Sequence, residues 1–373
     1  MLISAGRVVT PARVFAPGWV LLDGERIADV QPGEPSRPPD IGFPDATIVP
    51  GYVDAHVHGG GGASFGSEDP EAAATVVRAH LAHGTTTIMA SLVTDATEPL
   101  TRALKALSGL VDDGLLAGLH LEGPWLSRRH AGAHDPGLLT DPTPEAVDTL
   151  ITAGCGRLRM VTLAPELPGG LQAIRRLTAA GVVAAIGHTD ATYDDARAAL
   201  DAGATVGTHL FNTMRGVHHR EPGPVTALLE HPDAFVELIA DGVHLHPAVL
   251  RLAASWKSHF AVLVTDAMAA AAAGDGDYVL GPMAVHVRDG VARLADTGAI
   301  AGSTLTMESA VKFSVQVAGL PIEDAVRAAT ASPAAMLGLD RVGALRPGFS
   351  ADLVVLDADL DVLRVLRRGR WVR

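Results

Sequence analysis

The fold class that this sequence predicts is α/β, a (β/α)8 barrel, and three observations carry the prediction. Eight apolar runs of strand length alternate with amphipathic stretches over roughly 250 residues in the middle of the chain. Six of the eight runs end in a His, Glu or Asp. No G-x-G-x-x-G turn follows the first run, which removes support for a dinucleotide-binding doubly wound sheet.

The runs, in chain order, are Tyr52–His58, Thr85–Leu92, Leu116–Leu121, Arg157–Leu163, Val182–Gly187, Ala204–His209, Phe235–Ala240 and Ala261–Val264. Helical periodicity marks Asp69–His83, Pro144–Ala153, Leu171–Ala180, Asp194–Ala202 and Pro247–His259 between them. The ends of the chain have another texture. Arg7–Val9, Gly18–Leu22 and Arg26–Val30 are short strand runs broken by turn signals such as Asp23-Gly24. A Pro-rich stretch from Gln31 to Pro44 follows and reads as a surface loop. Ala351–Leu356, Asp361–Leu366 and Gly369-Arg370-Trp371 repeat the strand pattern at the C-terminus. Neither end is long enough to build a good core alone. We therefore expect one small β-sandwich domain made of residues 1–48 plus 340–373, flanking a barrel of residues 49–339.

Composition bounds the function. Hydrophobic residues make up 48% of the 373 and charged residues only 19%, enough apolar material for a large core. The net charge of −13 argues against a nucleic-acid backbone or an anionic membrane surface as partner. A single cysteine, Cys155, excludes an internal disulfide framework and any Cys-based zinc module. Arg7 and Pro11 interrupt a signal-peptide run, and no 18-residue uncharged apolar stretch occurs, so a cytoplasmic location is expected.

In a barrel the reactive groups come from the C-terminal ends of the strands. The first run ends Asp54-Ala55-His56-Val57-His58-Gly59; strand alternation points His56 and His58 the same way, so two imidazoles can share one cation. The third ends in Glu122, and burying an unpaired carboxylate is expensive. Its bland partner would be Arg128 or Arg129 at the rim. His188, His209, the Asp241–His244 segment and Asp266 follow the later runs. Core histidines would be scattered in phase, whereas these collect at one end. Neutral imidazole and carboxylate suit Zn²⁺, Fe²⁺, Mn²⁺ or Co²⁺. His80, His83, His231, His246, His259 and His286 lie on helices or near boundaries and read as surface or structural. His120, two residues before Glu122, is a candidate to support it. Cys155, in a helix-to-strand turn, reads as inert.

The run Pro50 to Gly59, with the later Gly343-Ala344-Leu345-Arg346-Pro347-Gly348 and Ala351-Asp352-Leu353, resembles the amidohydrolase superfamily. More narrowly, the chain is similar to the N-acetylglucosamine-6-phosphate deacetylases within it. That likeness rests on Leu121-Glu122-Gly123-Pro124-Trp125, Gly187-His188-Thr189, His209 to Met214, Arg220-Glu221-Pro222-Gly223, Asp241-Gly242-Val243-His244, Thr265-Asp266-Ala267 and Ala301-Gly302-Ser303. It begins near residue 48 and leaves the first strands and the 31–46 loop unmatched.

The resemblance implies a distorted barrel of the metal-dependent amidohydrolase type. It implies hydrolysis of the acetamide of N-acetyl-D-glucosamine 6-phosphate, giving acetate and D-glucosamine 6-phosphate, in amino-sugar catabolism and recycling. N-acetylgalactosamine 6-phosphate is the nearest alternative substrate. Action on a cyclic amide or an N-acyl amino acid suits Arg220 and the Glu122–Trp125 run less well, and a dead barrel would have lost ligands that are all present here. By motif, Glu122, His188 and His209 carry over as principal metal ligands. His56 and His58 match a second-metal pair, which favours two ions over one with Glu122 bridging, zinc first and Fe, Mn or Co behind it. When bound, such an ion acidifies a water and polarises the acetyl carbonyl. Asp266 would take the water's proton and return it to the departing amine, and His244 would steady the carbonyl oxygen or a sugar hydroxyl. Ala133 and His134 match a substrate-contacting loop. Asn212 with Thr213, where alanine is more usual, and Ile300, Ala301 and Gly302 match backbone contacts to the sugar. Arg220 matches an arginine that crosses a homodimer interface to hold the phosphate.

The lysines sharpen the subtype. Only Lys105, Lys257 and Lys312 are present, and the fourth run, Arg157 to Leu163, has none. Metal sites bridged by a carboxylated lysine at the fourth strand, as in phosphotriesterase-like, dihydroorotase-like and urease-like members, are thereby disfavoured. All three lysines fall in helical stretches, where a solvated charge is the expected role.

Overall fold

Eight parallel strands form the barrel in the computed structural model, which describes residues 1–11 and 13–373. They are β1 (Tyr52–Asp54), β2 (Thr85–Val93), β3 (Gly118–Glu122), β4 (Leu158–Leu163), β5 (Val183–Ile186), β6 (Val206–Gly207), β7 (Phe235–Ile239) and β8 (Ala261–Val264), each hydrogen-bonded to the next. Eight helices follow them in turn: α1 (Pro70–Ala82), α2 (Thr97–Asp112), α3 (Pro144–Ala153), α4 (Gly170–Ala179), α5 (Tyr193–Asp201), α6 (Gly223–Glu230), α7 (Pro247–Trp256) and α8 (Met307–Gln316). The strands read as nearly unbroken apolar runs because both faces are covered, one by the helices and one by the barrel interior. Several helices start at local capping signals: Asp69 accepts from the Glu71 amide ahead of Pro70, and Thr192 with Asp195 forms a reciprocal capping box on α5.

The ring closes at the mouth. No ladder joins β8 to β1; instead Val57 bridges Ala267, the His58 amide donates to Ala267 O (2.8 Å) and the Asp266 amide donates to His56 O (2.9 Å). Deeper in the seam the Asp54 carboxylate accepts from Thr265 Oγ1 (2.7 Å) and from the Thr265 amide (3.2 Å). The seam is therefore stitched by the residues flanking the histidine pair.

Both termini supply one continuous sheet. Leu353–Leu356 lies antiparallel beside Ile41–Pro50, with Val355 opposite Ile48, and Ile41–Pro50 lies parallel beside Leu2–Val9. Gly18–Asp23 and Arg26–Pro32 extend one side, Val362–Arg367 and Arg370–Trp371 the other. Ile3, Val20, Ile27, Ile48, Val355 and Leu366 make a core of the sheet's own. Val49, Val354 and Leu356 face the other way and join the barrel core. This is the period-2 alternation of a sheet covered on both sides.

Several sequence expectations need correction. The first run stops being strand at Asp54, and the sixth is strand only at Val206–Gly207, because the backbone turns toward the mouth beyond those points. The Pro-rich loop ends at Asp40. Ile41 to Pro50 is strand, with Pro44 tolerated where the register with Leu2–Val9 shifts between Ala5 and Arg7. A meander of Gly276–Leu280, Met283–Arg288 and Val291–Leu294 was not foreseen; it sits between β8 and α8 and packs Leu280, Val285 and Leu294 near Met268. Lys257 is not a solvated charge. It is buried at the end of α7, donates to His231 O (2.6 Å), and burial pulls its amine down to about 8. Among the described residues no helix is long and apolar enough to cross a membrane.

Candidate metal centre and active site

At the barrel mouth one carboxylate sits between two pairs of histidines. Glu122, the last residue of β3, presents Oε1 to His188 Nε2 (3.0 Å) and His209 Nε2 (2.9 Å). Its Oε2 faces His58 Nε2 (3.2 Å) and His56 Nε2 (3.6 Å). Asp266 Oδ1 closes the second group, 3.2 Å from His58 Nε2 and 3.4 Å from His56 Nε2. All six side chains are buried. Neither Arg128 nor Arg129 partners Glu122: Arg128 caps the carbonyls of Pro136 and Leu139, and Arg129 pairs with Asp190.

The outer nitrogens of the rings fix what the inner ones can do. A carbonyl oxygen can only accept, so His58 Nδ1 donates to Ser91 O (3.2 Å) and His188 Nδ1 donates to His130 O (2.9 Å). His56 Nδ1 donates to the Glu237 carboxylate at 3.1 Å. In the neutral ring each of these bonds leaves an Nε2 lone pair aimed inward. The His56 and His58 Nε2 atoms are 3.1 Å apart, and those of His188 and His209 3.2 Å. The facing lone pairs of His56 and His58 repel unless a cation lies among them. The edge of a tetrahedron with metal–nitrogen arms of about 2.0–2.1 Å is roughly 3.3 Å, so the spacing matches a divalent ion. His56, His58, Glu122 and Asp266 offer ligand atoms close enough to hold one. The field agrees: burial pushes His56 down, yet Asp266, Glu122 and Glu237 outweigh it and hold the ring well above its usual value. What draws a proton there draws a metal cation.

His134 differs from that set. Its Nδ1 accepts from the Thr94 amide (3.3 Å), so the proton is on Nε2, 3.4 Å from Glu122 Oε2. It therefore faces the centre as a donor. His120 is a neutral spacer beneath His56, with Nδ1 and Nε2 each 2.9 Å from a hydroxyl, of Ser91 and Thr162, and its ring centre 4.6 Å from that of His56. Burial holds it well below its usual value.

Backbone geometry places these side chains. His188, His209 and Asp266, each two residues past its strand, have φ of 47°, 29° and 48°. The left-handed conformation costs a residue with a Cβ about 1–2 kcal/mol. It turns the chain out of the strand so that the side chain projects into the mouth.

Above the centre is a cavity of about 260 Å³. His58, Glu122, Ala133, His134, His188, His209, Asn212, Thr213, His244, Asp266, Ile300 and Gly302 line it, with Leu280 brought in by the unforeseen meander. His244 is steered by Asp241, whose Oδ2 lies 2.6 Å from its Nδ1. Ala301 is fully buried behind the wall, and its amide is taken by Ala292 O. Arg220 is exposed on the loop after Thr213 and does not line the cavity.

Sequence reading missed two acids. Glu237, buried within β7, holds His56 Nδ1 and accepts from the His209 amide (3.3 Å). Asp54 stitches the seam, its carboxyl pushed up to about 7 by burial. A lone acid inside an apolar strand run was the signal for Glu237, since such a group needs a buried partner.

A profile of the amidohydrolase family matches residues 47–372. The chain belongs to that family. Within the amidohydrolases, it is similar to the structure of N-acetyl-D-glucosamine-6-phosphate deacetylase from Mycobacterium smegmatis, an Asp-to-Ala variant in complex with N-acetyl-D-glucosamine-6-phosphate. That likeness is 49% identity at a TM-score of 0.98, over 100% of this chain and 99% of that one. It is 38% identical to the N-acetylgalactosamine-6-phosphate deacetylase of Escherichia coli O157:H7, with 95% of each chain covered. It is 36% identical to the N-acetylglucosamine-6-phosphate deacetylase of Vibrio furnissii, covering 94% of this amidohydrolase and 86% of the relative.

Proposed function

We propose that this chain is a metal-dependent deacetylase that hydrolyses the acetamide of N-acetyl-D-glucosamine 6-phosphate to D-glucosamine 6-phosphate and acetate, within amino-sugar catabolism and recycling. The observation that carries the reading is the convergence of four imidazole Nε2 atoms and Asp266 on Glu122. This occurs in a chain 49% identical along its whole length to a deacetylase crystallised with that sugar phosphate. The Escherichia coli galactosamine-type relative is more distant at 38%, which favours the glucosamine epimer.

His56 and His58 would hold one ion, His188 and His209 the other, and Glu122 both, with the Asp266 carboxylate beside the first pair; zinc fits this nitrogen-rich set first, with Fe, Mn or Co behind it. A bound ion supplies a more acidic water and a polarised carbonyl. The chain's own groups do the rest. In the metal-free site the protonated His56 and His58 rings overcome the cost of burying Asp266 and hold its carboxyl far below the usual range; a cation in their place would favour the same ionised form at neutral pH. Its Oδ1 takes a proton from the water attacking the acetyl carbon. It then delivers that proton to the amide nitrogen as the C–N bond breaks, so the amine leaves neutral. His134 donates from Nε2 toward the reacting centre, and His244, held by Asp241, faces the acetyl oxygen or a sugar hydroxyl. Asn212, Thr213, Ala133, Ile300 and Gly302 form the sugar wall, backed by Ala301.

The phosphate would be met by Arg220 from a second subunit of a homodimer. In its own chain Arg220 points to solvent, outside the cavity, with no ion pair among the described residues. The same reading divides the chain into a β-domain of residues 1–48 plus 340–373 and a barrel of 49–339, and places it in the cytoplasm, where phosphorylated sugars are retained by their charge. The test is acetate release from the 6-phosphates of N-acetylglucosamine and N-acetylgalactosamine, with metal analysis of the same preparation. Expected are metal-dependent release and a roughly tenfold or greater preference for the glucosamine epimer. Release that survives metal removal, or an equal or reversed preference, would overturn the reading.

A further inference from the structure

A second and larger cavity, about 510 Å³, lies at the end of the barrel away from the metal centre. Its walls are the first residues of β2 (Thr86 to Ile88), Arg159 at the start of β4, the Gly114–Ala117 turn before β3, and the terminal-sheet side around Arg26, Ser350 and Arg368. Arg26, Arg159, Arg341, Arg367 and Arg368 belong to this lining, against three carboxylates, those of Glu25, Asp340 and Asp352. In a chain of net charge −13 this is a local reversal of sign. None of the five guanidinium groups forms an ion pair within 4.0 Å among the described residues.

Two of these cations are held together on one acceptor, with the Asp352 carboxylate as the charge that opposes their repulsion. Arg367 Nη2 and Arg368 Nη2 lie 3.2 and 3.0 Å from the same oxygen, Gly114 O. Burial, then the Arg368 charge, pulls Arg367 below its usual range. Bare backbone makes room for the side chains: a Cβ on Gly114 would come within 2.7 Å of Arg368 Nη2, and one on Gly118 within 2.6 Å of Arg159 Cδ. Asp352 Oδ1 also accepts from the Arg368 amide at 2.6 Å. Guanidinium is the side chain best matched to phosphate, through paired N–H donors, and the cavity volume is that of a small-molecule site.

We propose that this cavity binds a small phosphorylated anion among Arg26, Arg159, Arg341, Arg367 and Arg368, and that the anion ties the terminal sheet to the floor of the barrel. The experiment uses the metal-loaded protein, inorganic phosphate as probe, calorimetric titration, and thermal unfolding with and without the probe. Arg26→Ala and Arg341→Ala are the test variants, since both residues are exposed, and exposed positions are the ones whose truncation costs the fold least. Arg220→Ala removes the candidate phosphate group of the active site. The expected result is one phosphate site that persists in Arg220→Ala. It should weaken about tenfold in each cavity variant, and the double variant should lose the rise in unfolding temperature. Absence of millimolar phosphate binding in the unsubstituted protein, or a site that survives the double variant but vanishes in Arg220→Ala, would overturn the proposal.

Discussion

Replacing Glu237 tests the logic of the metal centre without touching a ligand. Its Oε2 accepts two N–H groups, His56 Nδ1 at 3.1 Å and the His209 amide at 3.3 Å, one on each side of the centre. Both His56 and Glu237 are fully buried, so no water takes over the role when the carboxylate goes. Glu237→Gln keeps an oxygen for both donors, removes the charge and puts an NH2 where Oε1 stood. Glu237→Ala removes the oxygen too and leaves the His56 ring free to change tautomer or rotate. Loss of such an outer carboxylate costs about 10- to 100-fold in metal affinity, or roughly 1.4 to 2.7 kcal/mol. We expect Gln near the low end and Ala near the high end. The assay is competition for metal against a chromophoric chelator, with total metal counted after dialysis and the unfolding temperature of the metal-free forms measured alongside. On the two-ion reading proposed above, the ion on the His56–His58 side should leave first, halving the metal content while His188 and His209 keep theirs. Wild-type affinity and metal content in both variants would refute the reasoning. So would an affinity loss in Ala no larger than expected from its fraction unfolded.

Three further outcomes follow from the same geometry. Asp266→Asn should lower turnover about 100- to 10,000-fold with metal content retained, and metal analysis showing a lost ion would make Asp266 chiefly a ligand. Arg220→Ala should raise KM for the 6-phosphate substrate while leaving N-acetylglucosamine itself unaffected; equal effects on the two would remove its phosphate role. His80 is buried, donates to Gly59 O at 2.9 Å, and burial lowers its ring to about 4. The unfolded chain takes up that proton first, so this contribution is complete above about pH 6.5 and is lost as pH falls from there toward 4, by about 3 kcal/mol at most. Denaturant unfolding of His80→Gln should show a shallower acid slope than the parent, and an unchanged slope would assign the effect to other groups.

Much of the candidate centre's placement was legible because a buried strand reads as an apolar run, and the polar residue that breaks it marks the strand's exit into the mouth. His56, Glu122, His188, His209 and Asp266 were all found in this way. The length of each strand was less legible. His209 reads as the end of the run Ala204–His209, yet its φ of 29° has already turned the chain. Residues with a Cβ seldom adopt that region, and nothing in the local sequence marks it. The distinct character of His134 depends on an amide of Thr94, forty residues away in the chain. The meander from Gly276 to Leu294 escaped because its strands alternate exposed and buried positions in very short runs. Glu237 was hidden by the apolar residues around it, although a single carboxylate there already demanded a donor.

The sheet built from both termini also sets an order of events during synthesis. Ile41–Pro50 gains Leu2–Val9 as a neighbour at once, but its other edge waits for Leu353–Leu356. At ribosomal rates of about 5–20 residues per second, the roughly 300 intervening residues keep that edge open for about 15 to 60 s. A nascent chain thus carries an unsatisfied, largely apolar strand edge past every stage of barrel assembly. Such edges recruit other strands. Emergence of Leu353–Leu356, rather than completion of the barrel, is the step that ends this exposure.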